Sequence, residues 1–258
     1  MTIELSKKEL SDYMLRITGE KGDISLIVDE GGSLFDEHYV IDVEKGKGEI
    51  RANRPRALLI GVYDFLRRIG CRFIRPGANG DIVPRKPLED ITVKVDVVPA
   101  NKHRGITIEG AVSIENILSL IEWAPKVGFN SYFIQFRTSF DFFNRWYAHI
   151  NNPLLEGEEF TEERAAEYVK QIVEKIKERD MIYHAVGHGW TAACVGIDAN
   201  GWEGADDSLL NDDQRSKLAE ISGKRGFFKN IPLNTQLCYS NENVRRSMVD
   251  EVCIYCLL

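Results

Sequence analysis

Apolar residues recur along this chain with two different rhythms, and the change between them falls near residue 100. Ser6-Lys-Lys-Glu9 has the form of a capping box, and Leu10, Met14, Leu15 and Ile17 follow it at helical spacing, which predicts a first helix of about three turns ended by Gly19 and Gly22. Apolar runs at 24–28 and 39–43, with 49–51, are separated by Gly31-Gly32 and Gly46-Lys-Gly48 and predict adjacent strands. Pro55 stands where a first helical turn tolerates it. Leu58, Leu59, Val62, Phe65, Leu66 and Ile69 then repeat at helical spacing as far as Gly70. Residues 91–97 alternate as a strand, and Val98-Pro-Ala-Asn-Lys102 is a linker, so a first α+β domain is expected over 1–99.

From His103 the order becomes strand, helix, strand, helix, strand. Residues 104–109 and 130–136 read as strands around a helix at 114–127 that ends at Gly128. A strongly periodic helix starts at Thr161-Glu-Glu163, passes Tyr168, Ile172 and Ile176 to Arg179, and leads into a strand at 181–186. Alternation of this kind means parallel strands joined by crossover helices. The expected class is α/β: a small N-terminal α+β domain, then over 100–258 the first three or so units of an incomplete (β/α)₈ TIM barrel. A complete barrel takes about 200 to 250 residues, more than follow Lys102, and Cys256-Leu-Leu258 lies in an apolar helical stretch without a capping Gly or Asn. The chain is therefore expected to be a truncated piece. An open doubly wound sheet competes, but no Gly-rich phosphate loop follows any strand.

Composition narrows the partners. A net charge of −7 and 28% charged residues argue against nucleic acid, which is bound through clustered Lys and Arg. No stretch has the length of a membrane span or of a signal-peptide core, so a cytoplasmic location away from membranes is the default. Arg54, Arg56, Arg67, Arg68, Arg72 and Arg75 make one helix neighbourhood basic, either as a solvated face or as a contact for an acidic group. Cys71, Cys194, Cys238, Cys253 and Cys256 are odd in number and irregular in spacing, unlike a disulfide framework. Cys253-Ile-Tyr-Cys256 lacks a second Cys/His pair at zinc-finger spacing, which leaves buried structural thiols as the expectation.

In a barrel, chemistry sits where strands end. The rule picks Glu109 after the first strand, Gln135 and Arg137 after the second with Asp141, Arg145 and Trp146 beyond, and His184, His188, Trp190 and Trp202 around the third. Planar polar groups bind sugar hydroxyls and aromatic rings cover C–H faces. Glu109 has two readings, a site acid or a salt-bridge partner of Arg137. On a strand His184 alternates with Tyr183, so one of the two points inward and can be a satisfied core group. His188 lies between Gly187 and Gly189, whose freedom suits a backbone bent to present the ring. A metal site from His184 and His188 lacks a carboxylate partner at fixed spacing. No metal and no cofactor are expected.

The stretches 39–43, 49–51 and 56–66 resemble the accessory domain of the family 20 β-hexosaminidases and, more broadly, of the hexosaminidase and α-glucuronidase group. His103-Arg-Gly-Ile-Thr-Ile-Glu109 is similar to that family's first barrel strand, which implies that Arg104 holds sugar hydroxyls. Gly128-Phe-Asn-Ser-Tyr-Phe133 is similar to the approach to the second strand, and Val186-Gly-His188 to the Pro-Gly-His whose His lies in the active site. Pro232-Leu-Asn-Thr235 is similar to the segment before the fourth strand, where the family carries its catalytic Asp-Glu pair. With Phe142 to Tyr147, Tyr183 to Trp190 and Leu237 to Asn241, the pattern resembles most a bacterial group of this architecture whose barrel has no known function. The sequence departs from the hexosaminidases at Gln135-Phe-Arg137, where they have an Asp that orients the His.

The resemblance implies a glycoside hydrolase acting on a carbohydrate, with Arg104, Glu109, Arg137, His184, His188 and Trp190 around the substrate and the catalytic acid outside these residues. A non-catalytic carbohydrate-binding or scaffolding protein on the same fold is the rival. Neither the sugar nor the oligomeric state is legible.

Overall fold

A computed structural model of the chain describes residues 1–77, 79–108, 112–197, 199 and 201–256. They form two compact units, one of residues 1–107, 113–133 and 170–184, the other of 108–112, 134–169 and 185–258. The class is mixed α/β.

The first unit opens with α1 (Thr2–Thr18), β1 (Asp23–Val28), β2 (Tyr39–Glu44), β3 (Lys47–Ala52), α2 (Pro55–Arg68), the short β4 (Arg72–Phe73) and β5 (Asp81–Ile82), and β6 (Val93–Val97). The larger strands form a sheet ordered β1-β3-β2-β6, with β1 parallel to β3 and β2 antiparallel to both its neighbours. Between β2 and β3 the turn is Lys45-Gly46, both at positive φ (52° and 71°), the backbone that matches strand twist in two-residue hairpins. Gly48, expected in the turn, lies within β3 instead. A Cβ there would stand 2.0 Å from the Asp42 carbonyl oxygen, so the close approach of β2 requires glycine.

Pro55 is the first residue of α2, as its fixed φ favours. That helix buries Leu58, Leu59, Val62, Phe65 and Leu66 against Leu10, Met14 and Ile17 of α1 and Ile41, Val43 and Ile50 of the sheet. The expected capping box at Ser6 does not form. Ile3 and Leu5 also pack on the core, so the helix begins at Thr2, and the buried Ser6 hydroxyl donates to the Thr2 carbonyl (2.9 Å) inside it.

Of the arginines around α2, Arg68, Arg72 and Arg75 are exposed, as on a solvated face, while Arg54 and Arg67 are partly buried and Arg56 is buried. Arg67 and Arg68 donate to the buried Asp64 (3.1 and 2.9 Å), Arg72 to the Arg67 carbonyl (2.9 Å) and Arg54 to that of Asp36 (2.7 Å). Arg56 is 2% exposed.

The βα alternation follows: β7 (Gly105–Ile108), α3 (Ile114–Trp123), β8 (Ser131–Phe136), α4 (Phe140–Tyr147), α5 (Glu162–Glu178) and β9 (Ile182–His188), with β8 central in a sheet ordered β7-β8-β9. The Ile182 amide donates to the Asn130 carbonyl (2.9 Å) and the Arg137 amide to the His188 carbonyl (3.0 Å). Strands tied start to start and end to end run parallel, as the crossover helices require.

Glu37 anchors the starts of these strands. It is 4% exposed and accepts from Arg56 Nε (2.5 Å), Asn130 Nδ2 (2.9 Å) and Arg104. Asn130 precedes β8 and accepts from the Arg104 amide (2.8 Å), while Arg56 donates to the carbonyl of Asp180, before β9 (2.9 Å).

In the second unit, α6 (Trp190–Ala193), α7 (Asp212–Lys217), the pair β10 (Glu220–Ile221) and β11 (Lys224–Arg225), and α8 (Glu242–Cys256) follow β9. Val195, Leu210, Leu218, Phe227, Leu237 and Val244 form one core. Near α4, Tyr147 stacks on Phe160 (5.1 Å, 3°), and the Arg164 guanidinium covers both rings at 4.7 and 5.2 Å. Cys253 is exposed on α8, against the expectation of a buried thiol. Leu257 and Leu258 lie outside the described residues, and among those described no helix is long and apolar enough to cross a membrane.

Removing Glu37 takes the nearest counter-charge from the buried Arg56, leaving it Asp180 at 4.0 Å, and from the partly buried Arg104. Glu37→Ala is expected to cost about 3 to 5 kcal/mol in urea unfolding, against about 1 to 3 kcal/mol for Asn130→Ala, which loses neutral hydrogen bonds. Equal, small losses for both would show that the network carries little of the stability.

Candidate functional site

Period-two alternation sorts the residues of β8. Tyr132, Ile134 and Phe136 are buried on one face, and Ser131, Phe133 and Gln135 take the other. Beyond the strand, Ser139 adopts φ 56° and α4 begins, carrying Asp141 in its first turn. On β9 the same alternation gives His184 and His188 one face, and His188 stands between Gly187 and Gly189 at φ 116° and 94°. A Cβ on Gly187 would lie 1.8 Å from the Gln135 carbonyl oxygen, so no other residue allows β9 this close to β8. The two glycines thus serve the bend expected of them.

The ring of His188 is held on three sides. Phe136 tilts against it (5.5 Å between centroids), Trp202 meets it edge to face (4.8 Å), and Gln135 Nε2 lies 3.3 Å from His188 Nε2. Gln135 Oε1 and Asp141 Oδ2 are buried and have no hydrogen-bond partner among the described residues. Burial raises the affinity of the Asp141 carboxyl for its proton, and the charge of Glu203 adds to this, while Arg145 opposes it. A cavity of about 30 Å³ beside the ring, lined by Phe136, Arg137, His188, Ala193, Ile197 and Leu233, has room for a water molecule and not for a sugar ring. A larger ligand would have to lie outside it; Trp146 of α4 is 44% exposed.

The other expected residues scatter. Arg137 Nε donates to Glu251 of α8 (2.7 Å), and Glu109 lies outside the described residues. Trp190 is 4% exposed and belongs to the interior, where its ring has no face for a ligand. Arg104 sits before β7, with Nε on the Gly128 carbonyl (2.6 Å), Nη1 on that of Asn101 (2.6 Å) and Nη2 on Glu37. These bonds make it a tie between strand starts in place of the expected sugar contact. His184 meets His103, their Nε2 atoms 2.6 Å apart. Among the described residues no group of three or more His, Cys, Asp or Glu is placed to hold a metal. Sequence reasoning missed Glu203 and Glu251; the first had a signal in adjoining Trp202, the second had none.

No family model matches the chain, and no curated protein matches its sequence. Similar solved structures include a Streptomyces plicatus N-acetyl-β-hexosaminidase in complex with Thio-NAglucal, 16% identical over 97% of this chain and 49% of that one, with a TM-score of 0.47. A family 89 glycoside hydrolase from Clostridium perfringens in complex with PUGNAc is 14% identical over 97% and 31%, with a TM-score of 0.48. A GH20 β-N-acetylhexosaminidase from Streptomyces coelicolor A3(2) is 16% identical over 95% and 49%, with a TM-score of 0.45. This chain spans half or less of the length of each.

Asp141 gives a signed pH test. Its proton affinity is higher folded than unfolded, so its contribution to stability is fully present below the ordinary Asp range and is lost as pH rises through the raised value. Asp141→Asn avoids that loss. Its Tm should match the wild type near pH 4 and exceed it by a degree or two at pH 8. A variant less stable at pH 8 than at pH 4, relative to wild type, would mean that the charged carboxylate is favourably paired.

Proposed function

We propose that the ends of β8 and β9 form the carbohydrate-binding rim of a glycoside hydrolase-like domain, in which β7-α3-β8-α5-β9 is the front of a (β/α)₈ barrel. Residues 1–99 are its accessory domain and 100–258 the barrel portion. The observation that carries this reading is His188, set between two positive-φ glycines and clamped by Phe136 and Trp202. The resemblance of Val186-Gly-His188 and its surroundings to hexosaminidases supports it.

On this reading Trp202 and Trp146 present aromatic surface to the C–H faces of a sugar, and His188 and the unpartnered Gln135 oxygen take its hydroxyls. Their contribution is orientation. Asp141, which keeps its proton more readily than an ordinary Asp, is the described carboxyl best suited to give a proton to a leaving oxygen. Arg137 is neutralised by Glu251, which speaks for a neutral sugar over a uronic acid.

The test is a calorimetric titration with N-acetylglucosamine and, separately, glucuronate. N-acetylglucosamine should bind more tightly, and His188→Ala should weaken it by about tenfold, the loss of one good hydrogen bond. Equal affinity of wild type and variant would overturn the assignment. On aryl N-acetylglucosaminides, any turnover should disappear in Asp141→Asn; turnover that persists would remove Asp141 from the acid role.

A further inference from the structure

Two imidazoles meet in the first unit, on groups that the carbohydrate reading leaves unused. His103 stands two residues before β7 and His184 is the third residue of β9, yet their Nε2 atoms lie 2.6 Å apart, with ring planes at 88°. Nitrogens this close cannot both carry a proton; one Nε2–H donating to the other's lone pair satisfies the pair, and a metal ion bound by both rings would take the place of that proton.

A third polar group faces the same space. Ser131 is fully buried, and its Oγ has no hydrogen-bond partner among the described residues. The strand register brings it beside Gly105. A Cβ built on Gly105 would stand 2.7 Å from Ser131 Oγ and 3.4 Å from His103 Cε1, so the missing side chain leaves open the gap between hydroxyl and imidazole.

We propose that His103 Nε2 and His184 Nε2, with Ser131 Oγ beside them, bind a borderline transition-metal dication such as Zn²⁺ or Ni²⁺ between the two rings. Imidazole nitrogens lie about 2.0 to 2.1 Å from such ions, which at tetrahedral or square angles sets them roughly 2.9 to 3.3 Å apart. The rings therefore open by a few tenths of an ångström, and His103, exposed ahead of β7, has the freedom to do so. Water completes the coordination shell, and Ser131 Oγ accepts a hydrogen bond from one such water. Two imidazoles without a carboxylate select against Mg²⁺ and Ca²⁺, which prefer oxygen. The site is independent of the rim at His188, and its test needs no sugar.

Untagged full chain is titrated with NiCl₂ at pH 7.5 by calorimetry. One ion should bind per chain, and His103→Ala and His184→Ala should each weaken it by at least about tenfold. His38→Ala and His149→Ala, at separate surface positions, should not. Because His184 is partly buried, His103→Gln provides a variant at an exposed position, with its fold checked by circular dichroism. Cu²⁺ in place of Ni²⁺ should show coupling to two nitrogens by electron paramagnetic resonance, and MgCl₂ should give no binding. Absence of Ni²⁺ binding by the wild type, or binding that survives in the His103→Ala/His184→Ala double variant, would overturn the proposal and leave a plain hydrogen bond between the rings.

Discussion

The buried carboxylate of Glu37 is the constraint on which the placement of the βα sheet depends. It sits between Arg56 and Arg104, and with Asn130 it gathers one residue from α2 and one from just ahead of each of β7 and β8; Arg56 extends the set to Asp180, ahead of β9. A charged group this deep is costly unless every neighbour is arranged to receive it. The same demand makes it selective: a strand slipped by one residue would break the network and turn its whole side-chain set to the opposite face. Register at the strand starts thereby fixes which residues of β8 and β9 look the same way at their ends.

The two ends of these strands differ in how completely their polar groups are satisfied. Around Glu37 each of the three nitrogen types of the Arg104 guanidinium has an acceptor. Around His188, the Gln135 oxygen and one Asp141 oxygen have none among the described residues. Buried polar groups are nearly always paired, and an exception signals stored strain or a role toward something outside the protein. The contrast is between a closed network that holds position and one whose oxygens are left without a partner among the described residues.

Histidine shows how surroundings assign a role. His188 is fixed by two aromatic rings and an amide. His184 lies four residues earlier on the same strand, so alternation gives it the same face, yet its partner is another imidazole. The difference arises because His103 precedes β7, while the last residue of β8 and the chain after β9 supply Phe136 and Trp202.

Elements with a local cause were legible in the sequence. Pro55 and the apolar stripe behind it define α2; the strand and helix rhythm from His103 onward gives the parallel alternation; Gly187 and Gly189 mark the bend that presents His188. In each case the signal is steric or periodic and spans only a few residues. Ser6 was misread because its capping pattern is also local, but the pull of Ile3 and Leu5 toward the core outweighed it. Tertiary structure alone decided partners. Arg104 meets Glu37 across 67 positions, His103 meets His184 across 81, and Arg137 meets Glu251 across 114. Whether an arginine faces a ligand, or whether a tryptophan is a surface or a core residue, follows from which distant segment folds beside it. Charge and aromatic character are properties of a residue, but satisfaction and exposure belong to the packed chain.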